Sequence, residues 1–244
     1  MHSEVWQKSQ KLKGDRLKCL SFDIWNTLLD LGKLYSLIAE ELSEITERRK
    51  EEMEAGLKSA YQKALSLRLE GAFRSPILDS ARVFASELNI TEEGLFRALV
   101  RAVMRAETGE MVFDDVHRAL DELNAMNIKM GLLGNVMFWP GMVTRIILEK
   151  NGILRYFHST IFSDESGVQK PDRAAFELLA NRLECRLEEM VHVGDSLEND
   201  LAGALISGAS AILIKRDSPT SFSIGKRAFV VRTLTEIPGL LSKL

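Results

Sequence analysis

Short apolar runs without polar alternation recur along the chain: "CLSF" (19–22), "KMGLL" (129–133), "STIF" (159–162), "MVHV" (190–193), "AILI" (211–214) and "FVV" (229–231). Runs of this kind, separated by helix-length stretches, predict parallel strands covered on both faces. The stretches between them read as helices: "DDVHRALDELNAMN", "PGMVTRIILEKNG", "PDRAAFELLANRL" and "LENDLAGALISG". Two of these end at glycine, as helices prefer. The pattern predicts an α/β fold with a doubly wound, Rossmann-like parallel sheet.

From Leu31 to Glu110 no strand signal interrupts the pattern, and the stretch is too long for an ordinary crossover. Leu34, Leu37, Ile38, Leu42 and Ile45 keep helical spacing, and Met53, Leu57, Tyr61, Leu65 and Leu69 continue at four-residue steps. "ERRKEEME" between them reads as the solvated face of that helix. Further helices are predicted at "ILDSARVFASELNI" and "TEEGLFRALVRAVMRAE", after a bend at "GAFRSP" (71–76). The predicted organisation is an α/β core of residues 1–30 and 111–244 carrying an all-helical cap of residues 31–110. Repeats and low-complexity segments are absent.

With 244 residues, 45% of them hydrophobic, the chain can bury a large core. A formal net charge of −3 gives no global attraction for nucleic acid or an anionic membrane. The expected partners are small molecules, and the expected state is a monomer or homodimer. Cys19 and Cys185 show neither CxxC nor Cys/His spacing and are expected as core thiols in a reducing compartment. The basic "MHSEVWQKSQKLKGDRLKCL" lacks the apolar region of a signal peptide. No stretch approaches the length of a membrane span, so a cytoplasmic location is expected.

In a doubly wound sheet, ligands bind beyond the carboxyl ends of the strands. Asp23 follows the first predicted strand and Gly134-Asn135 the second. Lys170-Pro171 lies in the loop after the third, and Gly194-Asp195, then Asp200, follow the fourth. Each has a plain structural alternative: Asp195 or Thr27 as a helix cap, Asn135 as a turn residue, Lys170 as a surface lysine before a helix-starting proline. His117, His158 and His192 have no metal-ligand spacing and read as core or surface histidines.

Taken in order, "FDIWNTL", "LLGN", "SGVQKPDRAAFELL" and "VGDSLENDLAGA" resemble the motifs of the haloacid dehalogenase-like hydrolase superfamily, in its helical-cap subgroup. The resemblance covers nearly the whole chain. It implies that Asp23 is a nucleophile forming a covalent aspartyl intermediate. It implies a Mg²⁺ cofactor on Asp23, the Trp25 backbone carbonyl and Asp195, with Asp200 orienting Asp195 and a metal-bound water. Lys170 would balance the charge of Asp23 and of a phosphate, Thr27 and Asn135 would complete the catalytic set, and Gly134 with Asn135 would bind the phosphate. Arg74, at the cap bend, is the candidate from the cap for touching substrate.

Two departures qualify this. Family phosphatases carry DxDxT, whereas this chain has DxWxT, so the acid that protonates the leaving group is replaced by Trp25. General acid–base help is typically worth ~10²- to 10⁴-fold. Gly134 also stands where Ser or Thr usually donates to the phosphate. The dehalogenases of the superfamily have an aromatic at the position of Trp25 and need no metal, but the acids of "GDSLEND" favour Mg²⁺. The leading expectation is a Mg²⁺-dependent phosphatase or phosphotransferase acting on a small phosphorylated metabolite. The alternatives are a catalytically weak member binding a phosphorylated ligand or protein partner, and a metal-independent 2-haloacid dehalogenase-type hydrolase.

Overall fold

The computed structural model describes residues 17–241, so the basic stretch before Leu17, on which the absence of a leader was argued, lies outside the described residues. Seven strands form one sheet in the order β3-β2-β1-β4-β5-β7-β6. They are β1 (Cys19–Phe22), β2 (Lys129–Gly134), β3 (Ser159–Phe162), β4 (Met190–Gly194), β5 (Ser210–Ile214), β6 (Phe222–Ile224) and β7 (Ala228–Val231). All neighbours are parallel except β6 against β7. The pattern missed β6 because all three of its residues are exposed, leaving no apolar run to read.

Successive β1 residues serve opposite faces. Leu20 and Phe22 join the apolar cluster shared with the inserted helices. Cys19 joins a second cluster with Ala175, Phe176 and Leu179 of the helix Arg173–Arg182. Strand order runs from β1 through β2 to β3 on one side and through β4 to β5 on the other, so the switch point lies between β1 and β4.

Between β1 and β2 stand α1 (Leu31–Thr46), α2 (Lys50–Leu69), α3 (Pro76–Leu88) and α4 (Glu92–Arg105). Asp30 caps α1, accepting from the amides of Gly32 and Lys33. The run "ERRKEEME" does not continue a helix as expected. Glu47 turns left-handed (φ 56°) and breaks the chain into α1 and α2, while Arg48 pairs with Glu52 across the turn. The two chain crossings into the helical unit run side by side: the Asp30 amide donates to the Met111 carbonyl at 2.7 Å and the Phe113 amide to the Leu28 carbonyl at 3.3 Å.

A stripe at strict four-residue steps turns around a helix by about 40° per step, and α2 shows the effect. Met53 and Leu57 are buried in the core, whereas Tyr61 and Leu65 line the cavity beside Asp23.

The cysteines overturn one expectation: Cys19 and Cys185 are joined in a disulfide. The cause is topological. Cys19 pairs in register with Met190, and the Lys18 amide donates to the Glu189 carbonyl, so the segment entering β4 runs beside the start of β1. Among the described residues no helix is long and apolar enough to cross a membrane.

Candidate active site

The register Phe22↔Val193 sets the next residues of β1 and β4 side by side, and the Asp23 amide donates to the Val193 carbonyl at 2.8 Å. Asp23 and Asp195 therefore meet at the switch point. One oxygen each from Asp23, Asp195 and Asp200 lies within 4.8 Å of the others.

Lys170, 2% exposed, donates to Asp23 Oδ1 and to Asp200 Oδ1, both at 2.6 Å. Its position is fixed by Asn135, whose side-chain amide clamps the Lys170 peptide from both sides. Nδ2 donates to the carbonyl at 2.8 Å and Oδ1 accepts from the amide at 2.9 Å. Asn135 therefore positions Lys170 and is more than turn filler; it also lines the cavity, and its second Nδ2 N–H is not engaged by the Lys170 peptide. Thr27 is buried and its hydroxyl donates to Asp23 Oδ2 at 3.2 Å, which settles its alternative as a cap. Arg216 accounts for the Thr27 loop: it donates to the Thr27 carbonyl at 2.9 Å and pairs with Asp115 at 2.8 Å.

After β4, the cap is Ser196, which accepts from the Asn199 amide, so Asp195 does not cap the helix. The helix opens with a π turn, Leu197–Ala202, before continuing as Gly203–Ser207. This single-turn widening, often found at functional sites, swings Asp200 inward. Gly194 makes room for it, because a Cβ there would lie 2.2 Å from Asp200 Cγ. Asp200 then accepts from Lys170, from the Ser196 amide at 2.9 Å and from His192 at 3.0 Å. His192 bonds on to Ser21 at 2.8 Å from the neighbouring register position. Ser21 and His192 carried a signal that was not used: a polar pair in register within two otherwise apolar strands.

Burial raises Asp23 to about 7, against the pull of Lys170 and with repulsion from Asp200 and Asp195 added. Burial likewise raises Asp195 to about 6, with repulsion from Asp200 added, against the pull of Lys170. For Asp200, Lys170 and His192 outweigh burial, and its carboxyl is held well below the usual range. Burial keeps the His192 imidazole neutral, outweighing Asp200. One lysine thus faces three carboxyl groups, bridging Asp23 and Asp200, and among the described residues no second cation pairs with Asp23 or Asp195. Hard oxygen donors in this state fit a divalent ion such as Mg²⁺. Asp200, with both oxygens engaged, sits behind the two candidate ligands as an orienting acid.

The cavity above these acids has a volume of about 300 Å³. Two sequence expectations change here. Gly134 does not line it; Val136 and Met137 do. A Cβ at Gly134 would meet Ile24 Cδ1 at 2.7 Å, so a Ser or Thr there would require the Ile24 side chain to shift. Arg74 lies elsewhere, beside Asp79 and Arg82 in a shallow depression, because the amides of Arg74 and Ser75 both donate to Asp79 and hold the bend outward. In its place the cap supplies Tyr61, Leu65 and Arg68. Asn26, left-handed at φ 60°, also went unread; it lines the cavity and its side chain bonds Asp195.

Trp25 packs edge-on against Trp139 at 5.5 Å between ring centroids. Trp139 in turn contacts Phe138 at 4.7 Å and Tyr35 at 6.4 Å, and Phe84 of α3 lies on Phe138 at 4.5 Å. The side chain replacing the expected acid therefore belongs to an aromatic cluster joining cap to core.

The chain belongs to the haloacid dehalogenase-like hydrolases, whose family model matches residues 17–208. It is 34% identical over 107 residues to a glyceraldehyde 3-phosphate phosphatase of Methanopyrus kandleri, a match spanning 43% of this chain and 43% of that protein. It is 24% identical over 221 residues to the protein of the same name from Methanothermobacter thermautotrophicus, covering 82% and 87% of the two chains. A haloacid dehalogenase-like hydrolase of Bacillus subtilis, solved with magnesium bound, shares the fold: TM-score 0.75 at 20% identity, over 93% of this chain and 99% of that one.

Proposed function

We propose that the protein is a Mg²⁺-dependent phosphatase or phosphotransferase for a small phosphorylated metabolite, with Asp23 as nucleophile. The observation that carries this reading is the Lys170 bridge between Asp23 and Asp200 at the switch point, with Asp195 facing the same cavity. The phosphatase names of the relatives support it. Mg²⁺ would be held by Asp23, Asp195 and the Trp25 carbonyl, and when bound would offset the negative charge of the phosphoryl oxygens.

The remaining chemistry belongs to the chain. Asp23 is held at one oxygen by Lys170 and at the other by Thr27, which leaves lone pairs on both for attack and ligation. An Asp23 oxygen forms a bond to phosphorus as the ester P–O bond breaks, giving an aspartyl phosphate and an alkoxide that must take a proton. Water then attacks the phosphorus, releases phosphate and restores Asp23, and its proton must be accepted. Trp25 does neither task. Outside the acid and lysine cluster, Glu198 and Tyr61 are the cavity-lining groups able to carry a proton. Residues 31–110 would act as the cap that excludes water from the intermediate.

The test is a phosphomonoester panel on wild type and Asp23→Asn, with Mg²⁺ and with chelator. Turnover that needs both Mg²⁺ and Asp23 supports the reading. Turnover untouched by chelation would favour a metal-independent hydrolase, and no turnover at all a binding protein with Trp25 marking the lost acid.

A further inference from the structure

Arg68 has a paradoxical setting. It is 8% exposed, lines the cavity opposite the acids, and has no hydrogen-bond partner at Nε or Nη2. Among the described residues no carboxylate pairs with it. A guanidinium cannot shed its charge as a lysine can, so burying it without a partner costs free energy that nothing in the protein itself returns. The two orphaned groups, Nε and Nη2, form one edge of the planar fork. That edge carries two parallel N–H bonds, the geometry that grips two oxygens of a carboxylate or phosphate, and it is closed to solvent, so a ligand in the cavity would reach it through a small shift of the side chain. The opposite wall already has Lys170 and a cluster of acids fitted to a cation and a phosphoryl group, so the vacant fork is surplus to the reacting phosphate.

We propose that Arg68 is a specificity-determining residue that binds a second oxyanion on the substrate, remote from the phosphoryl group Asp23 attacks. This rests on the phosphatase reading and narrows it to phosphomonoesters carrying a further carboxylate or phosphate. A volume of about 300 Å³ is at the lower end for ligand pockets and limits the substrate to a few carbons. Tyr61, on the same helix and in the same cavity, keeps its proton because burial and the nearby Asp195 and Asp23 raise its pKa. Its hydroxyl is a second donor for the same group.

The experiment uses a matched set of three-carbon esters: 3-phosphoglycerate, propane-1,3-diol bisphosphate and the neutral-tailed glycerol 3-phosphate. Wild type should favour the charged-tail esters in kcat/KM by ~10²-fold, the scale for a desolvated charge pair. In Arg68→Ala that ratio should fall to within about threefold, and Arg68→Lys, lacking the planar fork, should restore only part of it. Whichever charged tail wins identifies the second group as carboxylate or phosphate. Thermal melting should show Arg68→Ala no less stable than wild type, since it removes an unpaired buried charge.

Binding of the preferred charged-tail ester is titrated in parallel against Asp23→Asn and the Asp23→Asn/Arg68→Ala double variant. Turnover with no preference for charged tails, or one unchanged in Arg68→Ala, overturns the role of Arg68 and leaves the phosphatase reading standing. No turnover, but binding that the Arg68 change abolishes, rejects the phosphatase reading and keeps the oxyanion site. Neither turnover nor binding rejects both.

Discussion

Beneath the cavity, Lys170 ties Asp23 to Asp200 by charge-assisted hydrogen bonds of 2.6 Å, with Asp195 beside them at the end of β4. Above it, Tyr61, Leu65 and Arg68 project from one helix, α2, and the helical unit meets the core through edge-on and tilted aromatic rings, with no ion pair between them among the described residues. In the floor Lys170 and Asp200 are each held by several partners. The roof is held by apolar packing, which fixes distance but leaves Arg68 unsatisfied. Under the proposed function, the contrast would give the chemistry to the floor and the choice of substrate to the roof.

The strongest test of the floor is Asp23→Asn, which keeps the shape but removes the proposed nucleophile. Turnover should fall by ~10⁴-fold or more, while Lys170 keeps Asp200 as its partner. Residual turnover near wild type would mean that the strand-end cluster is structural and that the chemistry lies elsewhere.

Phe84→Ala tests the roof. Phe84 is fully buried and lies 4.5 Å from Phe138 between ring centroids. Deleting such a ring costs about 3–5 kcal/mol, and urea unfolding should show that loss. Mg²⁺ titration should be unchanged, because the ligands hang from β1 and β4. A large loss of Mg²⁺ affinity would show that floor and roof are one unit.

A smaller effect is expected at the disulfide, which ties the start of β1 to the segment before β4 across a separation of 166 residues. Cys185→Ser should cost about 2–5 kcal/mol through a less constrained unfolded chain, seen as a lower Tm that reductant reproduces in wild type. Alkylation of unreduced protein should find no free thiol among these two. Labelling of both would restore the expected core thiols.

How much could be read without coordinates follows the same division. The run "CLSF" fixed β1 at Cys19–Phe22, and with it the place of Asp23, because an unbroken apolar run ends where the strand meets water. Asp195 was legible for the same reason, whereas Asp200 and Lys170 lie six and eight residues beyond their strands and were legible through the motifs around them. The roof was not. A four-residue stripe on α2 looked uniform, yet its winding sent Met53 to the core and Tyr61 to the cavity. Arg74 is the natural candidate because bends commonly reach ligands, and nothing local in the sequence shows that Asp79 turns this bend away. The pairing of Cys19 with Cys185 depends on which strands are neighbours, and spacing does not encode that.

The smallest effect, and the one that joins floor to roof, concerns Trp25. Attack by Asp23 on an aryl phosphate expels a leaving group that needs no proton, so the missing acid should hardly slow it. Hydrolysis of the aspartyl phosphate does need a base for water. Rapid quench with radiolabelled phosphate should therefore show a burst near one equivalent on Asp23, then slow turnover. Trp25→Asp should quicken the slow phase by up to ~10²-fold. The gain is limited by packing: Trp25 rests 5.5 Å from Trp139, which itself contacts Tyr35 of the cap, and removing an indole opens a cavity that can misplace the new carboxylate. Trp25→Asp should accordingly lower Tm as it raises the slow rate. Fast turnover without a burst in wild type would mean that Glu198, which lines the cavity, already takes the proton of the attacking water. Glu198→Gln should then make the burst appear.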